Sequence, residues 1–102
     1  MAEVKTTPVK ATLVDDIDDN NTPGAYQFFD GTKGDGRIHG MVYCCPCGCG
    51  VHGVLDFRRP DRKEFHPSWE WNGNKESPTL TPSVHHIGHW HGWLRNGVWE
   101  SV

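Results

Sequence analysis

Cys44-Cys45-Pro46-Cys47-Gly48-Cys49-Gly50 holds every cysteine of the chain. A disulfide framework spreads its cysteines so that each bridge closes a loop and restricts the unfolded chain. Here Cys47 and Cys49 could bridge only with strain and would close almost no loop. Metal binding explains the crowding better. Thiolates are soft ligands, and glycine-containing turns let several sulfurs converge on one tetrahedral ion. Gly48 and Gly50 allow the sharp turn and Pro46 stiffens it. Two ligand spacings overlap, Cys44-x-x-Cys47 and Cys45-x-Cys47-x-Cys49, and the spacing alone does not choose between them. The expected metal is zinc, as one ion.

The flanks of this stretch decide the fold. Arg37–Tyr43 reads as a strand, with Ile38, Gly40, Val42 and Cys44 on one face and His39, Met41 and Tyr43 on the other. Val51–Phe57 reads as the returning strand, so the cysteines lie at a hairpin tip. Further strands are expected at Tyr26–Phe29 and Ser68–Asn72. Ser77–Val84 is extended, because two prolines exclude a helix and favour an edge strand. Gly92–Arg95 and Val98–Glu100 flank Asn96-Gly97, the strongest short-range hairpin signal. No stretch has helical periodicity. The expected fold class is small and mainly β, with antiparallel hairpins pinned by a zinc-knuckle-like site and an extended N-terminal arm. Asp30–Gly36 reads as a turn-rich loop without the ending of a phosphate loop. Residues 58–67, with Pro60 and Pro67, also read as loop.

With 102 residues and 35% hydrophobic content, one domain with a lean core is expected, and a metal cross-link would supplement it. Residues 1–24 read as an acidic arm and residues 25–102 as the zinc-binding β domain. The net charge of −3 falls wholly in the arm, where Asp15-Asp16-Ile17-Asp18-Asp19 lies; the rest is balanced. That acidic run fails the calcium-loop pattern and reads as a solvated link. A chain without a basic excess argues against nucleic acid as partner. Arg58-Arg59 with Arg62-Lys63 is interrupted by acids and reads as a solvated loop. There is no apolar run of membrane-spanning length, and Met1–Lys5 lacks a signal-peptide pattern, so a reducing cytoplasm is the expected compartment.

Seven histidines are many for this length. His91 is the preferred ligand from the second polar cluster, His85–Trp93, because it opens the final strand region. His89 follows, since positions i and i+2 on an extended chain point the same way. His85 and His86 read as ligands or exposed loop residues, with exposure favoured. His39, His52 and His66 read as packing or surface groups.

Cys45–Gly50, Leu80-Thr81-Pro82-Ser83-Val84 and His91–Trp99 together resemble a family of small bacteriophage and bacterial proteins of unknown function, some labelled "ammonia monooxygenase". The resemblance covers most of residues 38–102. It implies a zinc-binding β domain and a phage or mobile-element origin. That family typically has a cysteine three residues before the histidine matching His91; this chain has Gly88 there. The resulting ligand set is Cys45, Cys47, Cys49 and His91, with Cys44, His85, His86 and His89 as alternatives. The function expected on this basis is a phage-type, non-catalytic accessory protein. It would bind a protein partner, either a host factor or virion subunits, or assemble as a homo-oligomer, in the cytoplasm of an infected cell or in a virion. The alternative is a zinc-dependent hydrolase with Glu70 or Glu64 as base. A Rieske-like electron-transfer protein is more remote, because no paired Cys-x-His boxes are present.

Overall fold

The computed structural model describes residues 4–30, 38–58 and 68–102. The loop expected over residues 31–36, most of the loop expected over 58–67, and with it Glu64, His66 and most of the basic patch, lie outside the described residues. Ten short strands run in order: β1 Val9–Lys10, β2 Thr12–Leu13, β3 Ala25–Asp30, β4 Ile38–Cys44, β5 His52–Asp56, β6 Glu70–Trp71, β7 Leu80–Thr81, β8 Val84–His86, β9 Trp90–Arg95 and β10 Val98–Ser101. The expected small mainly-β fold class is the observed one. The described residues contain one short 3-10 turn, Ile17–Asp19, and no α-helix. None has a helix long and apolar enough to cross a membrane.

Two four-stranded sheets and a two-stranded ribbon build the domain. One sheet has the order β1-β10-β9-β8, the other β2-β3-β4-β5, and the ribbon is β6-β7. All pairings between named strands are antiparallel except β2 on β3. The two sheets share one core. Tyr26, Met41, Tyr43, Cys45, Leu55 and Phe57 contribute from the second sheet and its flanks, and Val84, Trp90, Leu94 and Trp99 from the first. The alternation read along β4 is what puts Met41, Tyr43 and, just past its end, Cys45 on this inner face. Cys44 points the other way and packs with Ile17 and Ala25 in a small second cluster.

Large indoles compensate for the lean composition. Trp90 and Trp99 are fully buried and meet edge to face, with ring centres 5.8 Å apart. A tryptophan at this depth is worth about 3–5 kcal/mol against alanine. Each indole N–H is satisfied, as burial demands: Trp99 donates to the Gly24 carbonyl at 3.0 Å and Trp90 to Thr6 Oγ1 at 3.0 Å. Those acceptors lie in the N-terminal segment, which therefore crosses the body. β1 pairs with β10, β2 pairs with β3, and buried Ala11 stands between them.

The acidic stretch folds as a capped turn. Asp16 accepts the Asp18 N–H, and Gln27 binds both the Ile17 N–H, at 3.0 Å, and the Asp15 carbonyl, at 2.9 Å. Ile17 is buried while the four aspartates stay in water, so the charge is solvated although the backbone is held.

Asn96-Gly97 turns as its sequence signals, with φ of 49° and 73°, the two left-handed residues that the tightest hairpin requires. One segment departs from the reading. Ser77–Val84 is not one extended edge strand. Pro82 has no N–H for a ladder, and the chain leaves β7 before it and enters β8 after Ser83. β8 then turns through His86–His89 into β9, a hairpin closed by the His89 N–H on the His86 carbonyl at 2.9 Å.

Candidate functional site

Two groups of reactive side chains arise from these elements, one at the turn between β4 and β5 and one along β8 and β9. The first is the cysteine turn at the β4–β5 tip. The Cys45 N–H donates to the Val51 carbonyl at 3.0 Å and the Gly48 N–H to the Cys45 carbonyl at 3.2 Å. Gly48 and Gly50 take φ of 88° and 80°, values that any other residue pays for. The turn brings the sulfurs of Cys45, Cys47 and Cys49 within 4.8 Å of one another. Cys45 and Cys47 are closest, Sγ to Sγ 3.3 Å. The three form a group that could hold a metal ion, and Cys44, on the opposite face, is not part of it.

The electrostatics of this turn are graded with depth. Burial pushes the Cys45 thiol well up. Burial also acts upward on Cys49, but the Val51 backbone and the Cys47 and Cys45 thiols outweigh it and hold Cys49 below its ordinary value. Tyr43, on the inner face beside them, is driven up by burial and then by Cys45, Cys49 and Cys47. Three converging sulfurs, one of them fully buried, suit a soft cation, which would stabilise all three as thiolates.

The second group lies on the outer face of the other sheet. His85 faces His91 across β8 and β9, so Ser83, two residues before His85, shares that face as a diagonal neighbour of His91. Ser83 Oγ and His91 Nε2 are 3.2 Å apart. That is hydrogen-bond reach for a hydroxyl and the base that would take its proton. The His85 ring lies flat on His91, centres 4.5 Å apart and 28° between planes. The His91 strand is held from its other edge, where the Val102 N–H donates to the His91 carbonyl at 3.0 Å.

Ser83 is itself anchored. Trp69 Nε1 donates to the Ser83 carbonyl at 3.2 Å. Trp69 is fixed by its backbone to the end of β5, donating to Asp56 at 2.9 Å and accepting from Arg58 at 2.8 Å. The nucleophile candidate thus hangs from both sheets.

His91, expected as the fourth metal ligand, is placed with Ser83, outside the cysteine group. His86 was read as favouring exposure; it is half-buried on β8, on the face opposite to His91, and its ring stacks on His89 at 4.5 Å. Burial, and then His89, push its pKa down. His39 is buried, and His52 Nε2 lies 3.2 Å from the Asn20 carbonyl. Glu70, named as a base for a zinc hydrolase, is exposed on β6 opposite Thr81. The sequence reading quoted Ser83 without giving it a role. The signal was the parity of the β8–β9 hairpin, which cannot be applied until the turn at 87–89 is placed.

The fold and site define a two-sheet β domain that carries a serine–histidine pair and, apart from it, a cluster of three thiols. Residues 13–102 match the family described as bacterial ubiquitination-like system serine protease (BubE). The chain belongs to this family. No curated protein and no solved structure matches it. Membership overturns the expected function. The chain is not a phage-type, non-catalytic accessory protein, and bacteriophage and virion roles fall with that reading. The expectation rested on the resemblance carried by Cys45–Gly50, Leu80–Val84 and His91–Trp99, and on thiolate-rich sites being usually structural.

Proposed function

We propose that this chain is a serine hydrolase that cleaves acyl bonds of a ubiquitin-like protein, with Ser83 as nucleophile and His91 as general base. The observation that carries the reading is the 3.2 Å contact between Ser83 Oγ and His91 Nε2; the family match gives the chemistry its setting. A serine hydroxyl is a weak nucleophile until a neighbouring base takes its proton. Ser83 Oγ attacks the substrate carbonyl as its proton passes to His91 Nε2. Collapse of the tetrahedral adduct breaks the acyl bond, and the leaving amine or alcohol takes that proton. Water then attacks the Ser83 ester, again deprotonated by His91, and releases a carboxylate. The stacked His85 ring fixes the plane of the base.

The test is labelling of the full chain by a fluorophosphonate, which reports an activated serine without needing the natural substrate. The expected adduct, located by mass spectrometry, is on Ser83 and is absent from His91→Ala. An adduct on another serine, or none at all, would overturn the assignment.

Trp69 acts here as a positioning residue. Trp69→Phe keeps most of the ring and deletes the hydrogen bond to the Ser83 carbonyl. Such a bond is worth about 0.5–1.5 kcal/mol, so the labelling rate should fall roughly twofold to tenfold. The loss should appear in the rate of the covalent step rather than in saturation by the probe. A change in saturation alone would mean that Trp69 shapes binding instead.

For the cysteine group we propose zinc. Three thiolates on a tight turn match the ligand preference of that ion. Its support of the fold is separate from the chemistry. The sulfurs stand on the turn after β4 and Ser83 and His91 on the outer face of the other sheet.

A further inference from the structure

We propose that His86 supplies the fourth ligand of the cysteine metal centre, through Nδ1, making it a site of three thiolates and one imidazole. The inference rests on the metal reading above and on four observations. Zinc held by protein alone takes four ligands in a tetrahedron, and the turn offers three. His86 shares the face of buried Val84, two residues earlier on β8, so it points into the space between the sheets rather than to the outer face of Ser83 and His91. There it meets Tyr43, ring centres 6.2 Å apart and edge to face. Tyr43 is two residues before Cys45 on the same inner face, close enough to feel all three thiols. The cysteine turn and the β8–β9 tip thus flank one tyrosine.

The last observation is energetic. His86 Nδ1 is buried and has no hydrogen-bond partner. A buried polar atom left without a partner costs about 1–3 kcal/mol, and such exceptions in folded proteins call for a missing ion, water or role. A neutral imidazole with a bare nitrogen is the form that ligates metal. His91 cannot take this place, since it lies on the opposite face with Ser83. The atoms already within 4.8 Å of each other are the three sulfurs alone, so ligation brings the β8–β9 tip toward the cysteine turn.

X-ray absorption on the zinc-loaded full chain tests this directly, together with zinc affinity by competition with a chromophoric chelator. The expected first shell is three sulfurs and one nitrogen. His86→Ala should weaken zinc by more than the roughly 10–100-fold that loss of an outer-shell partner costs, His89→Ala, which removes the ring stacked on His86, by no more than that, and His91→Ala not at all. A shell of four sulfurs, a histidine-free shell completed by water, or an unchanged affinity in His86→Ala would overturn the assignment while the metal reading stands. A wild-type chain that binds no zinc would overturn both. If His86→Ala fails to fold, the wild-type spectrum decides, and the nitrogen is assigned from the His89 and His91 variants, either of which would refute His86 by losing it.

Discussion

Ser83→Ala is expected to lower turnover of an activated ester, or of a ubiquitin-like fusion, by about 10⁴- to 10⁶-fold, the range seen when a serine hydrolase loses a catalytic side chain. His91→Ala should cost nearly as much, and the double variant little more, because nucleophile and base act as a unit. The fold should hardly notice. Ser83 is half-buried, its Oγ meets His91, and its structural bond runs through the backbone carbonyl to Trp69, which alanine preserves. The melting temperature should therefore stay near that of the wild type while activity vanishes. Turnover within tenfold of wild type in Ser83→Ala would remove Ser83 from the chemistry, whatever the family's activity.

Stripping the metal is expected to do the reverse. Apparent binding free energies of small structural zinc sites are about 10–16 kcal/mol, comparable to the whole stability of a domain, about 5–15 kcal/mol. Chelation of the loaded protein, or Cys47→Ala, should therefore unfold the β4–β5 tip and the core behind it, where Cys45 and Tyr43 are buried. Activity would fall with the folded fraction, and surviving molecules would turn over normally, because no proposed catalytic atom touches the ion. Circular dichroism and turnover measured on the same chelated sample separate the two effects. Native spectra with lost activity would place the metal in the reaction, and an unchanged melting curve after verified removal would end its structural role.

These two outcomes also mark how far the residues could be read in advance. β4, β5 and the β9–β10 hairpin were legible because each carries its own local signal: alternation in Ile38–Cys44, glycines after the cysteines, and Asn96-Gly97. A metal group was legible because the cysteines crowd one turn, but which sulfurs join it depends on the strand parity that turns Cys44 to the other face. What stayed hidden depends on contacts between distant segments. β1 is two residues long and becomes a strand only because Trp99 and Val98 stand beside it. Ser83 meets His91 through a hairpin whose turn, His86–His89, has no strong turn signature. His91 was expected as a metal ligand because it opens the final strand region, whereas its strand parity faces it toward Ser83.

The path of the first strand has a consequence for the order of events during folding. β1 pairs with β10, so residues 9 and 10 must wait for residues 98 and 99 before they find their partners. The strand that carries His91 is bordered on one side by β10 and by Val102. Contacts so far apart along the chain form late. The cysteine hairpin, built from neighbouring residues, can form first, and the sheet that sets Ser83 beside His91 follows once β10 has joined it. The serine–histidine contact is thus tied to the slowest-forming part of the fold.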